Sequence, residues 1–204
     1  MKNLLILGAG DNGRVIAENA FSSKKYKSIE FLDDLSYKKN GEIIGPLESI
    51  YDKKIKNKFT EAIISISSYE IRMKWHEILK KENYLIPNII HKSSFVSESA
   101  KIGAGSIIYP KVCIQANVDI KESVFLNTGS IIEHDSLISN GVHICPGVNI
   151  AGNVTIGYGS WIGIGSSIIQ GIRIGSETII GAGSVVIQNI PDQSKAVGNP
   201  TRII

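Results

Sequence analysis

Along the second half of the chain an aliphatic side chain returns at every sixth position, from Val96, Ile102 and Ile108 through Ile180 to Val186, with Leu126 the one leucine in the series. Neither the 3.6-residue turn of a helix nor the two-residue alternation of a strand has this period. It predicts a solenoid with three hexads to a coil, about five triangular coils in all, each flat face plugging the axis with one aliphatic residue. The fifth place of the hexad is restricted as well. It holds small or β-branched residues such as Val112, Val118, Ser130, Ser136, Ser160 and Ser166, with Ile172 the large exception. Small residues there let successive coils approach closely at a corner. Glycine follows the plug at 103, 157, 163, 175 and 181 and offers further tight backbone positions.

The first half has a different pattern. An apolar run, Leu4 to Leu7, breaks into glycines and is followed by a helical segment through Val15, Ile16 and Ala20. A second run, Ile29 to Leu32, ends in Asp33 and Asp34. A third, Ala62 to Ile66, precedes a helix carrying Ile71, Trp75, Ile78 and Leu79 at helical spacing. The order β-α-β, then β-α, predicts an open parallel sheet of Rossmann-like type. Pro87 and a Ser-rich run lie between Tyr84 and Ser99, so the expected units are residues 1–85, a Rossmann-like βαβ domain, and residues 86–204, an all-β parallel β-helix.

Composition narrows the class of ligand. The 204 residues are 43% hydrophobic and 20% charged, an ordinary balance for a chain with a real core. Lys+Arg 22 against Asp+Glu 19 leaves a formal charge of +3, too small and too scattered to argue for nucleic acid. A small molecule is expected instead. No run reaches the roughly 18 apolar residues of a membrane span, and the amino terminus lacks a signal-peptide pattern. Cys113 and Cys145 have neither metal-ligand nor paired-framework spacing, which fits plain thiols in a reducing cytoplasm.

The segment Gly8-Ala-Gly-Asp-Asn-Gly13 satisfies G-x-G-x-x-G between a strand and a helix, and Asp33 ends the next strand about twenty residues on. Alone, this pattern suggests a nicotinamide-dependent reductase. Residues 1–85, however, supply only one half of the usual dinucleotide fold, and a solenoid follows in place of a dehydrogenase catalytic domain. A nucleotide-sugar site at the helix start is the preferred reading.

The repeat, the amino-terminal half and the closing Val197-Gly-Asn-Pro-Thr-Arg202 together resemble the bacterial hexapeptide-repeat acetyltransferases that modify nucleotide-linked amino sugars. The likeness is greatest to the bacillosamine-pathway enzyme, which N-acetylates a UDP-linked 4-amino sugar. Perosamine N-acetyltransferases and sialic acid O-acetyltransferases belong to the same group. The resemblance implies a left-handed β-helix, acetyl-CoA as cosubstrate, no metal, and N-acetylation of a sugar amine, with O-acetylation as the alternative. A non-catalytic nucleotide-binding trimer is the alternative from another class.

Within Leu126-Asn-Thr-Gly-Ser-Ile-Ile-Glu-His-Asp-Ser136 the resemblance implies His134 as general base and Asp135 as its partner, where close relatives carry Glu. The chemistry needs such a pair. An attacking amine or hydroxyl must lose a proton, an ordinary imidazole titrates near ~6.5, and a neighbouring carboxylate supports the imidazolium and fixes its tautomer. The plain alternative is a surface histidine on a corner beside a turn residue. The resemblance further assigns acetyl-CoA contacts to His143, Ile164 and Ala182. Substrate contacts fall to Gly10, Asp11, Asn12, Asp33, Asp34, Ser67 and Asn127. Asp11, Asn12 and Ser67 depart from the family's usual residues. Lys195 and Arg202 could meet the CoA phosphates or be ordinary surface charge. The zinc-binding hexapeptide proteins use three histidines, whereas this solenoid has only His134 and His143, with His76 and His91 before it. Nine residues separate His134 from His143, half of a coil, so the two face different sides of one prism. A homotrimer with its active sites between prisms would bring them together.

Overall fold

The computed structural model describes residues 2–34 and 43–204 in two units, one running to His91 and the other from Lys92 to Ile204. In the first unit, strand β1 (Lys2–Leu7) leads into helix α1 (Asp11–Ser22), then strands β2 (Tyr26–Leu32) and β3 (Ile43–Gly45). A 3-10 turn (Leu47–Tyr51), helix α2 (Lys53–Lys58), strand β4 (Glu61–Ile64) and helix α3 (Tyr69–Lys81) complete the series. The sheet is wholly parallel with order β3-β2-β1-β4. Leu4 to Leu7 and all of β4 are buried without alternation, the mark of a sheet covered on both faces. One face packs Leu5, Leu7, Leu32 and Ile64 against Trp75, Leu79, Leu47 and Phe59.

The expected helices are present. α3 starts where the Ser68 hydroxyl accepts the Ile71 amide at 3.3 Å, with Glu70 in its first turn and Lys80 and Lys81 in its last, favourable placements in the helix field. Ile71 itself is 45% exposed, outside the buried stripe. β3, the 3-10 turn and α2 were not expected, and α2 buries no residue, so it offers no periodic signal. Asp52 caps it by accepting the Lys54 amide at 2.7 Å. The first unit runs past residue 85 because the chain is still bonded there: Leu85 exchanges hydrogen bonds with Thr60 and Ala62 along the outer edge of β4.

The second unit is a parallel solenoid of two-residue strands in register at 18-residue steps, such as Ile120 beside Ile138 and Ile138 beside Ile156. Its first face runs from Phe95–Val96 to Val185–Val186, its second from Lys101–Ile102 to Arg173–Ile174, and its third from Ile107–Ile108 to Ile179–Ile180. Lys195–Val197 adds a parallel strand to the third face, and Arg202–Ile203 turns back antiparallel beside it. From Ile108 to Val186 every plug is buried. Removing one large plug, by Ile138→Ala, is expected to cost about 2–5 kcal/mol in chemical denaturation, since the stacked coils leave the cavity little room to collapse.

The small residues of the hexad do more than fit. Ser136 Oγ donates to the Ala151 carbonyl at 3.2 Å and accepts the Val154 amide at 3.1 Å, and Ser160 joins Gly175 and Thr178 in the same way. These hydroxyls bond one coil to the next and satisfy buried backbone groups at the corners. The glycines after the plugs are demanded by proximity. A Cβ on Gly157 or Gly163 would stand 2.4 or 2.6 Å from the backbone of the following coil. Among the described residues no helix is long and apolar enough to cross a membrane.

Candidate active site

The first unit carries a cavity of about 380 Å³ at the carboxyl ends of β1, β2 and β4, lined by Gly8, Gly10, Asp11, Asn12, Gly13, Asp33, Ser65, Ile66 and Ser67. β1 lies between β2 and β4, so the chain reverses its direction of winding there. Parallel sheets open a ligand crevice at such a switch. The three glycines serve different ends. Gly8 has φ +104, a conformation that suits glycine, and a Cβ there would meet Ser65 Oγ at 2.4 Å. A Cβ on Gly13 would stand 2.3 Å from the Gly8 carbonyl oxygen, so Gly13 lets α1 close on the turn. Around Gly10 nothing lies within 4 Å of an added Cβ, and this residue is the N-cap of α1. Open space in front of a helix start favours an anionic group.

The expected substrate residues divide. Asn12 Nδ2, in the first turn of α1, donates to Ser67 Oγ at 2.8 Å and ties that turn to the loop after β4. Asp33 Oδ2 accepts the Ala9 amide at 2.6 Å and braces the glycine turn from within the cavity wall. The Asp11 side chain is 94% exposed and pairs with Arg14 three residues on, leaving the capping position to Gly10. Asp34 lies outside the cavity wall. Its carboxylate accepts the Leu47 amide at 2.9 Å and starts the 3-10 turn, a contact made across the sequence that local pattern does not reveal. The buried Arg72 was not anticipated; its Nη1 donates to the Ile66 and Ser67 carbonyls at 2.9 and 2.7 Å and holds the loop of β4 in place.

On the solenoid, His134 and Asp135 occupy the corner between the first and second faces. His134 Nδ1 lies 2.8 Å from Asp135 Oδ2, and the imidazole is 54% exposed. Asp135 has φ 58, a left-handed conformation that Asp tolerates and that turns its short arm back along the corner. The hydrogen bond to His134, and after it the one from Asn117 Nδ2 at 3.1 Å, hold the Asp135 carboxyl below the usual carboxylate range. One coil on, Gly152 lies beneath the imidazole: a Cβ there would be 2.6 Å from Nε2 and Cε1. The acid thus holds the ring at Nδ1, while its other nitrogen, Nε2, lies over a bare glycine. A histidine held this way can accept a proton at Nε2.

Gly152 and Asn117 were not among the expected residues. The signal that finds them is the register itself, since 152 is 134 plus 18 and 117 is 135 minus 18.

The remaining expected residues lie elsewhere on the same prism. His143 sits on the third face, buried, with its ring edge-on to Phe125 at 5.5 Å and to Trp161 at 6.5 Å between centroids. Ile164 and Ala182 are exposed at the corner after that face, stacked one coil apart, with the Ile164 carbonyl accepting the Gly183 amide at 2.8 Å. Asn127 starts the same corner, its side chain accepting the Thr128 amide at 2.8 Å. One chain therefore keeps His134 on one corner and His143, Asn127, Ile164 and Ala182 on another face and corner.

The chain is similar to known proteins along its whole length. The family profile of the PglD N-terminal domain matches residues 3–79. The acetyltransferase domain of PglB from Neisseria gonorrhoeae is 33% identical and superposes with a TM-score of 0.95, each chain covered over 100% of its length. PerB from Caulobacter crescentus, whose structure contains CoA and GDP-perosamine, is 26% identical with a TM-score of 0.95, over 100% of this chain and 98% of that one. WeeI from Acinetobacter baumannii is 25% identical with a TM-score of 0.91, both chains covered over 100%. The amino-terminal unit is a parallel sheet with helices, the rest is a left-handed parallel β-helix, and the whole belongs to the hexapeptide-repeat sugar acetyltransferases.

Proposed function

We propose that this enzyme transfers the acetyl group of acetyl-CoA to the 4-amino group of a nucleotide-linked amino-deoxy sugar, UDP-linked in the first instance, for surface glycan synthesis in the cytoplasm. The observation that carries the reading is the His134–Asp135 pair, with Nδ1 engaged by the acid and Nε2 over Gly152. In the reaction the sugar amine attacks the thioester carbonyl, a C–N bond forms and the C–S bond breaks. His134 takes the amine proton at Nε2 and returns it to the departing thiolate, so the products are the N-acetyl sugar and CoA. Asp135 stays ionised below the usual carboxylate range and supports the imidazolium at Nδ1.

The nucleotide sugar is assigned to the cavity of the first unit, with its diphosphate at Gly10 and the start of α1, and with Asp11, Asn12, Asp33 and Ser67 around it. Acetyl-CoA is assigned to His143, the Ile164 and Ala182 corners, and Lys195 and Arg202. His134 and this second set lie on different sides of one prism, so the reading requires a homotrimer in which a neighbouring copy completes each site. The exposed outward side chains of Trp161, Ile164 and Ile179 support such contact.

A panel of UDP-, GDP- and dTDP-linked 4-amino sugars and a sialic acid, each assayed for CoA release with a thiol reagent, tests the reading. Release is expected with a nucleotide-linked amino sugar. Release with the sialic acid alone would replace amine by hydroxyl transfer. The enzyme's own thiols add little background, because burial pushes Cys145 up to about 12, and burial followed by the charge of Glu133 raises Cys113.

A further inference from the structure

We infer that Asn117 is a positioning residue of the acetyl transfer: it holds the Asp135 carboxylate in the orientation that supports His134, without touching substrate. The inference rests on the reading of His134 as the base. The Asp135 side chain is 46% exposed, and a short carboxylate on a surface corner held at one oxygen is free to turn about its side-chain bonds. Here both oxygens are engaged. Oδ2 meets His134 Nδ1 at 2.8 Å, and Oδ1 accepts from Asn117 Nδ2 at 3.1 Å. Two contacts fix the plane of the carboxylate and so aim one oxygen at the imidazole. Among the described residues these are the two side chains hydrogen-bonded to the carboxylate, and of the two only His134 is ionisable.

Asn117 is itself seated. It has φ 58, and its amide donates to Ser99 Oγ at 3.0 Å, so a column of corner residues runs from Ser99 through Asn117 to Asp135.

Bonding between coils alone does not account for this contact. Elsewhere in the solenoid the side-chain bonds between coils mostly join a hydroxyl to a backbone amide or carbonyl, as at Ser136 and Ser160. A second amide-to-carboxylate corner pair does exist, Gln193 Nε2 to Glu177 at 3.0 Å, with both residues also at positive φ. The hydrogen bond described for the Glu177 carboxylate comes from Gln193 and not from a histidine, so this pair supplies a matched control for the purely structural effect.

Asn117→Gly removes the amide while keeping a residue suited to φ 58, and Gln193→Gly does the same at the control corner. Steady-state kinetics of both, with His134→Ala, Asp135→Asn and the Asn117→Gly/Asp135→Asn double variant, form the test. For Asn117→Gly, kcat is expected to fall about tenfold, part of the 10²–10⁴ that general-base catalysis supplies. Its KM values for both substrates stay within about twofold, because only the reacting geometry is lost. The acid limb of its pH profile moves to lower pH, because the imidazolium loses part of its carboxylate support. In the Asp135→Asn background the same change adds nothing, since the two residues act in series. Gln193→Gly keeps the wild-type kcat. The inference is overturned if Asn117→Gly turns over at the wild-type rate while His134→Ala is inactive. It is equally overturned if the Asn117→Gly loss persists undiminished in the Asp135→Asn background, or if Gln193→Gly loses as much. An active His134→Ala would instead overturn the underlying assignment of the base.

Discussion

Replacing His134 with alanine is expected to lower kcat by about 10²–10⁴-fold, the range that a well-placed general base contributes. The solenoid should be unaffected. The imidazole is 54% exposed and fills no core position, and the plugs on either side, Ile132 and Ile138, are untouched by the change. Melting temperature and oligomer mass should therefore match the parent, and turnover near the parent's rate would remove His134 from the base position. Asp135→Asn separates the two members of the pair. The carboxylate favours the charged imidazole, so its loss makes His134 a weaker base: kcat falls, and the acid limb of kcat/KM shifts toward lower pH. The hydrogen bond from His134 already holds the Asp135 carboxyl below the usual carboxylate range, so protonation of the acid itself falls at still lower pH. An unchanged limb in Asp135→Asn would mean that the contact at 2.8 Å has no catalytic role.

The second large effect is expected at a residue with no functional group. In Gly152→Ala the new methyl would stand 2.6 Å from His134 Nε2 and Cε1, a separation two atoms do not share. The backbone of the coil is rigid, and the exposed ring is not, so the ring moves. A displacement of about 1 Å at a reacting group can cost about 10²-fold, and that is the expected fall in kcat with stability nearly unchanged. Measured kcat within twofold of the parent, with His134→Ala inactive, would show that the ring keeps its working position without the glycine. Gly152 differs in this from Gly157 and Gly163, whose absent side chains make room for the backbone of the following coil. Alanine at those sites should act on folding, whereas at Gly152 it should act on chemistry.

The period of six was enough to place each plug on its face, because a side chain that must reach the axis has no other place to go. Ser136 and Ser160 carried a weaker message: their small size was legible, their bonds to the next coil were not, since hydroxyl geometry leaves no trace in composition. In the first unit the long apolar runs and α3 could be read directly. β3 could not, having only Ile43 and Ile44 to mark it, nor could α2, which rests on a cap and not on a buried face. The site divided along the same line. His134 and Asp135 stand out because plugging cannot explain them, and the glycine turn stands out by its spacing. The use of Asp34 as an acceptor for Leu47, and of Arg72 as an anchor for two loop carbonyls, depends on contacts between separate segments that no local window contains.

Asn117, Asp135 and Gly152 come from three successive coils and meet only because each coil spends the same number of residues on its circuit. The corner that carries His134 therefore has a reading frame. One residue gained or lost between Asn117 and Gly152, unless it bulges out at a corner, would slide every later position around the prism and separate the acid from its anchor or the base from its glycine. A whole coil inserted beyond Gly152 would leave all three aligned. Such an enzyme can lengthen or shorten in complete turns far more easily than by single residues.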